Sequence, residues 1–504
     1  LQQRLAADVL SGATSSALVS LAGIIATPLY LAMLGQESYG VVGFYVTLGS
    51  ILSVLDLGLP VTVNRLVAQS LAKSAHGQTM AAIVWGTVSM FWVQALLIAI
   101  LIGALSWWIA TDWLRLGNLS ANYVREAVAL AALAIAVRWP ITIYQAILMG
   151  AGRIALTNQT TVAATLLTTG GALAVLHWVA PDLRLMFGWF ALAGLIHVAW
   201  LHMCARPLAR GRGFTGSTFG ELKSFLVASA PVGITGILGL LLTHSDRLIL
   251  SRAVALDAFG HYVLATLVAS AIYAAVTPIS NALYPRFSIL AARGEALELC
   301  RLYRASCHGL AAVLFPLAML LCVSGESIVL LWTRNEAVSI AVALILRFLV
   351  VGSALHGIMF ITYAVSMALG LQVLVLKLNA LTLALALPLI SLFAINWGAP
   401  GAALASLLVQ LAYFLASAFT THRYVMPGIS WRWFLVDVGI PAGISAAVGL
   451  LALIATASVA RSPALPVWYG LASVAACWGC MLAASSRLRQ LCRETSRWIR
   501  PSVT

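Results

Sequence analysis

Residues 241–250 read LLTHSDRLIL, and they set His244, Ser245, Asp246 and Arg247 within one helical turn. Gly, Leu, Ile and Val surround this cluster in an apolar run from about 225 to 250. An ionised side chain at mid-bilayer costs roughly 2.5–3.5 kcal/mol on insertion scales. A group kept there against that cost faces either a partner or a hydrated path. Asp56 and Arg138 stand in similar apolar surroundings. At 1.5 Å per residue, Asp56 lies roughly 12 Å from the inner end of its span, Arg138 near the middle, and Arg247 roughly 10 Å from the outer end.

The chemistry these residues offer is recognition of an anion. A guanidinium is permanently protonated, delocalised and forked, which suits phosphate or carboxylate oxygens. The competing reading of Arg247 is structural, with the side chain snorkelling outward and Asp246 neutralising it. Asp56 cannot meet Arg65 on a straight helix and needs a partner from another helix, a cation or a proton. Arg347, in the outer third of its span, would extend the polar track. It is nine residues from His356, so a straight helix turns the two to opposite sides. His177, His197 and His202 are read as interfacial imidazoles near helix ends and receive no role.

The elements that position these residues are membrane helices. The chain has 504 residues, 62% hydrophobic and 9% charged, with a mean hydropathy of +0.99. Soluble domains carry about a quarter charged residues, so a polytopic membrane protein is expected. A helical span needs roughly 20 apolar residues. That ruler gives about fourteen spans, starting near Leu10, Tyr39, Ala81, Val124, Ala155, Leu185, Phe225, Phe259, Ser306, Val338, Gln372, Gly401, Phe434 and Pro466. The first apolar run is long and lacks a cleavage site, so it reads as a retained span.

The net charge of +14 does not indicate a nucleic-acid partner, because the basic residues are segregated. With the N-terminus inside, Arg65, Lys73, Arg153, Arg206, Arg210, Arg212, Lys223, Arg286, Arg293, Arg301, Arg304, Arg423 and Arg432 fall inside. Arg115, Arg125, Arg184, Arg252, Arg334 and Arg461 fall outside. This follows the positive-inside rule and puts both termini in the cytoplasm. Arg489, Arg493, Arg497 and Arg500 then suit either a tail helix on anionic lipid or a continuation of that bias.

Several functions are disfavoured. No G-x-x-x-x-G-K-[ST] phosphate loop occurs, so ATP hydrolysis by this chain is not expected. The longest polar connections, 205–223 and 286–303, are short and cytoplasmic, and no external loop can house a glycosyltransferase or polymerase site. Metal-ligand spacing is absent. Cys477-Trp-Gly-Cys480 has redox spacing but lies inside an apolar span. No enzyme activity and no cofactor are expected, beyond a coupling H⁺ or Na⁺.

The chain also repeats itself at an offset of about 220 residues. Glu37-Ser-Tyr39-Gly40 falls on Asp257-Ala-Phe259-Gly260, and at a slightly smaller offset Met149 and Gly152 meet Met367 and Gly370. Six spans per copy imply insertion in the same orientation. The expected architecture is all-α. It has an N-terminal six-helix lobe (1–206), a basic linker (207–223), a C-terminal six-helix lobe (224–425), two further spans (426–488) and a basic tail (489–504). Polar faces at helical spacing supply the remaining candidates for a central cavity. They are Thr27 on the Ser16–Ser20–Gly23 stripe, Ser53 beside Asp56, Gln145 beside Arg138, Tyr273 with Thr277 and Asn281, and His356 with Tyr363.

Leu34-Gly35, Tyr39-Gly40, Leu55-Asp56-Leu57-Gly58, Arg65 and Asp246-Arg247-Leu-Ile-Leu resemble the polysaccharide flippases of the multidrug/oligosaccharidyl-lipid/polysaccharide (MOP) exporter superfamily. The resemblance implies two six-helix lobes around a cavity lined largely by spans 1, 2, 7 and 8, with two extra C-terminal helices. It implies transfer of an undecaprenyl-pyrophosphate-linked oligosaccharide across the bacterial inner membrane, with membrane lipids and other polysaccharide-assembly membrane proteins as further partners. It matches Arg65, Asp56 and Arg247 to charged flippase positions, whereas Arg138 and Arg347 rest on the residues alone. The alternatives are a drug or metabolite cation antiporter of the same superfamily, which three buried arginines disfavour, and a membrane glycosyltransferase or polymerase.

Overall fold

The computed structural model describes residues 2–56, 58–72, 77–209, 237–425, 430–459 and 465–484. All its regular elements are helical. They are α1 (Gln2–Leu34), α2 (Gln36–Leu52), α3 (Leu59–Ala72), α4 (Gly77–Trp108), α5 (Ala121–Arg138), α6 (Ile141–Gly150), α7 (Ile154–Trp178) and α8 (Leu183–Ala205). After them come α9 (237–253), α10 (Leu256–Ala269), α11 (Tyr273–Arg293), α12 (Ala296–Thr333), α13 (Glu336–Ala368) and α14 (Gln372–Val425). The described chain ends with α15 (Ser430–Arg432), a π-helical turn Trp433–Gly439, α16 (Ile440–Val459) and α17 (Leu465–Ala484).

Among the described residues, twelve helical segments are long and apolar enough to cross a membrane. One of them, α14, has 54 residues and turns at Gly398, whose φ of 62° and ψ of −146° are not helical. A helix of that length spans roughly 80 Å, so it is two crossings joined at a glycine followed by Pro400. Helix α9 (237–253), with 17 described residues, is not among these twelve. Leu96, Leu97, Ile100 and Leu101 are exposed along α4. In water such a stripe would be an aggregation site, and in a bilayer it is the ordinary lipid face.

Contacts divide the chain into two compact units, Leu1–His244 with Ala255–Gly260, and Ser245–Val254 with His261–Thr504. In the first, α1 packs on α7, α7 on α8, α8 on α5, and α4 on α5. In the second, α13 packs on α11, α12 and α14, while α16 and α17 pack on α12. The span that contains α16 is fastened at its start by an ion pair and a ring stack. Arg304 Nε donates to Asp437 Oδ2 at 2.6 Å, and the Trp433 ring stacks on Tyr303 at 6.1 Å.

The repeat is visible in the backbone. Gly152 and Gly370 close their helices with φ of 72° and 75°. In each, the glycine N–H returns to the carbonyl of Met149 or Met367, and the next N–H returns to that of Leu148 or Ser366. This is the same left-handed helix stop in both copies. Gly40 and Gly260 touch: a Cβ on Gly260 would lie 3.3 Å from the Gly40 nitrogen, and one on Gly40 would collide with the Leu256 carbonyl. The two acidic–x–aromatic–Gly motifs are therefore packed on one another through their glycines.

Two expectations change. The connection 286–303 is not a polar loop, because α11 runs to Arg293 and α12 starts at Ala296. Gly294, with φ 70°, makes the turn, so the charged residues there decorate helix ends. Span 2 is also not straight, since a 3₁₀ turn Ser53–Asp56 and Gly58 with φ 71° interrupt it. The premise that turned Asp56 and Arg65 apart on one helix therefore does not apply. Lys73, Arg210, Arg212, Lys223, Arg461 and the basic tail lie outside the described residues.

Candidate functional site

Span 4 breaks where its arginine stands. Helix α5 ends at Arg138 and α6 begins after Pro140. Proline has no N–H to give the carbonyl four residues back, and Trp139 N–H takes the Ala136 carbonyl at 3.1 Å instead. Arg138 is exposed and lines a cavity of about 220 Å³ together with Gln145 of α6, Thr161, Thr165 and Thr168 of α7, and His197 of α8. Gln145 Nε2 donates to Thr161 Oγ1 at 2.9 Å. A Cβ on Gly194 would come within 2.7 Å of Arg138 Cγ. The absence of a side chain there lets the arginine stem cross α8.

His197 belongs to this cavity, contrary to its assignment to a helix end. Helix α8 continues to Ala205, which puts His197 about 12 Å inside it at 1.5 Å per residue. The side chain is 7% exposed, and its Nε2 is buried without a hydrogen-bond partner. Buried polar atoms are nearly always paired, so this nitrogen marks a place where a ligand atom would fit. Its place on one helical face with Gly194, three residues before it, is the only local sequence feature that links it to this site.

The break in span 2 is tied to the one in span 4 by a residue given no role above. Gln94 Nε2 of α4 donates to the Leu55 carbonyl at 3.3 Å, and its Oε1 accepts from Trp139 Nε1 at 3.3 Å. Asp56 is half-buried, and its Oδ1 has no hydrogen-bond partner. Ser53 donates to the Ser50 carbonyl at 2.6 Å. Arg65 is exposed on α3. Thr27 is buried and spends its proton on the Gly23 carbonyl at 2.9 Å, whereas Ser16, Ser20 and Gly23 are exposed.

The second unit brings Asp246, Arg247, Tyr273 and His356 together. Asp246 Oδ1 accepts the Arg247 backbone N–H at 2.7 Å, and Oδ2 accepts the Tyr262 hydroxyl at 2.5 Å. That hydroxyl also lies 3.4 Å from Ser406 Oγ. The carboxylate thus hydrogen-bonds to groups other than the neighbouring guanidinium, and Arg247 Nε is buried with no partner. Tyr273 lies within electrostatic reach of both charges, and its hydroxyl meets His356 Nδ1 at 2.9 Å. Thr277 is exposed and donates to the Tyr273 carbonyl at 3.2 Å. His244 is half-buried on α9 and falls in the first unit. The side chain of Asn281 lies outside the described residues.

Arg347 turns away from this cluster. Its Nε donates to the Cys322 carbonyl of α12 at 3.2 Å. The nine-residue spacing separates it from His356, because α13 is continuous through Gly352 and Gly357.

Residues 5–291 match the family model described as polysaccharide biosynthesis protein. No curated protein sequence matches. Among solved structures, the lipid II flippase MurJ in an inward closed conformation superposes with a TM-score of 0.70 at 11% identity, over 93% of this chain and 99% of that one. The Vibrio cholerae MATE transporter VcmN gives 0.59 at 14% identity, over 86% and 98%. A MOP superfamily transporter from Pyrococcus furiosus, described as having a binding pocket of reverse polarity, gives 0.57 at 14% identity, over 83% and 94%. These likenesses establish the fold of the MOP superfamily.

Proposed function

We propose, from the premise that the chain belongs to the polysaccharide biosynthesis protein family, that it is a flippase for undecaprenyl-pyrophosphate-linked oligosaccharide. It would carry an O-antigen or exopolysaccharide repeat unit from the cytoplasmic to the periplasmic leaflet of the bacterial inner membrane, with both termini cytoplasmic. The observation that carries this reading is a pair of arginines on membrane-length helices, Arg138 exposed and Arg247 half-buried, neither of which forms a salt bridge among the described residues. Arg138 lines a polar cavity, and Arg247 presents a buried, unpartnered Nε.

An anionic headgroup dragged unaccompanied through hydrocarbon faces a prohibitive desolvation cost. Fixed guanidinium groups within the protein replace its lost hydration with charge-assisted hydrogen bonds. Arg65 would attract the headgroup at the inner mouth. Arg138 and Arg247 would hold it midway, while the prenyl chain stays in lipid and alternating access exposes the path to each side. Asp56, with its unpartnered oxygen, would gate by ion pairing or bind a coupling proton or cation, with Asp246 as a second candidate. The lipid-linked substrate of MurJ supports the same class. A cation antiporter would favour acidic over basic groups along this path.

Replacing Arg138 or Arg247 by Ala in cells should abolish surface polysaccharide at normal protein levels, with partial rescue by Lys. Lipid-linked oligosaccharide should accumulate in the inner leaflet. Unaltered surface polysaccharide in both Ala variants would remove these residues from the mechanism.

A further inference from the structure

We infer that the cavity inside the first unit is a sugar subsite that takes one acidic pyranose of the carried oligosaccharide. The sugar carboxylate would lie against Arg138 and His197, and its hydroxyls against the threonine oxygens of α7. This rests on the flippase reading for the source of the sugar. It goes beyond that reading in dividing the headgroup between the two arginines, the sugar's carboxylate to Arg138 and the pyrophosphate to Arg247.

Three observations lead here. The first is an inventory of donors and acceptors. Thr161 Oγ1 donates its proton to the Thr157 carbonyl at 2.8 Å, and Thr168 Oγ1 donates to the Ala164 carbonyl at 2.7 Å. With the protons spent on the backbone, these hydroxyls face the cavity as acceptors, and only Thr161 has one lone pair taken, by Gln145. A hydroxyl keeps two acceptor sites. A wall of acceptors disfavours the pyrophosphate diester of a lipid-linked sugar, both of whose phosphates are ionised at neutral pH, but it suits the hydroxyl groups of a sugar.

The second is the part of the lining that comes from α5 and α8, which supplies donors. Arg138 brings a guanidinium with no acceptor capacity. The unpartnered Nε2 of His197, on a side chain more than nine-tenths buried, can carry the ring N–H of the neutral tautomer and donate it to an oxyanion. A ligand satisfying both parts of the lining must carry hydroxyls and a negative charge within one small frame.

The third is size. A cavity of about 220 Å³ is the room of about seven waters at roughly 30 Å³ each. That is room for a single pyranose. Gly194 is built into this fit, since any side chain there would occupy the place of the arginine stem.

The test is thermal protection of the purified full-length protein by glucuronate, glucose and inorganic pyrophosphate, each titrated separately. Glucuronate should protect at roughly tenfold or more lower concentration than glucose, the discrimination expected of a charge-assisted contact. Arg138→Gln should abolish that preference, and Thr168→Val should weaken protection by glucuronate while leaving Arg138 in place. Equal protection by glucose and glucuronate, no protection by glucuronate, or pyrophosphate protecting as well as glucuronate would each overturn the assignment. Because translocation is not part of this measurement, a protein that flips lipid-linked oligosaccharide without the glucuronate preference refutes the subsite alone.

Discussion

Gly194 gives the sharpest handle on the first-unit cavity because it is uncharged and contributes no polar group to the site. A methyl group at this position would sit 2.7 Å from Arg138 Cγ, 3.5 Å from Cδ and 3.6 Å from a Val137 methyl. Alanine forces a rotation of a flexible side chain, which is a small cost. Leucine extends the clash along the arginine stem and should expel the guanidinium from the cavity. A hydrogen bond involving a charged group contributes about 1.5–3 kcal/mol, which is roughly ten- to hundredfold in an equilibrium constant at 1.36 kcal/mol per decade. Gly194→Leu should therefore reduce translocation of lipid-linked oligosaccharide in vesicles at low substrate by about that factor, and Gly194→Ala by much less. Arg138→Ala and the Gly194→Leu/Arg138→Ala double variant should be equally slow, because residues acting through one group are not additive. A folded Gly194→Leu protein with wild-type translocation, or a double variant slower by the product of the two singles, would show that Arg138 does not act from this cavity.

Three further expectations follow from other parts of the molecule. Asp437 is fully buried against Arg304, so Asp437→Ala should lower stability by about 3–5 kcal/mol. An Asp437→Leu/Arg304→Met pair should be far milder, as read by thermal unfolding in detergent. Outside the spans, the Arg184 side chain, at 2.7 Å from Asp182, holds that carboxyl below its ordinary range, with burial acting in the opposite direction. A folded-state pKa depressed in this way gives stability that is present above the unfolded value of about 3.9 and is lost as pH falls through the folded one. Asp182→Asn should lower the melting temperature near neutrality and leave it almost unchanged at low pH, which flattens the acid limb of melting temperature against pH. Finally, Gly152→Ala and Gly370→Ala should each cost about 1 kcal/mol or more, since both impose a left-handed φ on a residue with a Cβ. Similar losses at the two sites would show that the repeated helix stops are equivalent.

How much of this was legible in the sequence depends on which force sets each feature. Hydropathy must be satisfied along every crossing, so span positions such as those near Gln372, Gly401 and Pro466 follow directly from the chain. The repeat was legible through glycines, because Gly152 and Gly370 occupy a conformation that few other residues adopt. Helix breaks were harder. The kink at Gly398 and the turn at Gly294 have local causes, yet the 3₁₀ turn before Gly58 depends on Gln94 taking the freed Leu55 carbonyl from another helix. Partners across helices cannot be read from periodicity, which explains why Arg138 and Gln145 were placed on one face while His197 was not joined to them. The fastening of span 13 was hidden for the same reason. Asp437 and Arg304 are 133 residues apart, and nothing local announces their meeting.

In the proposed mechanism, fixed positive charge at Arg138 and Arg247 carries an anionic headgroup across. The direct measurement reconstitutes the purified protein in vesicles with a pyrophosphate-linked oligosaccharide lipid and reads its exposure on the far leaflet over time. Wild-type protein should expose it, and the Arg138→Gln/Arg247→Gln variant, folded and inserted to the same extent, should not. Equal transfer by that neutralised variant would contradict the account.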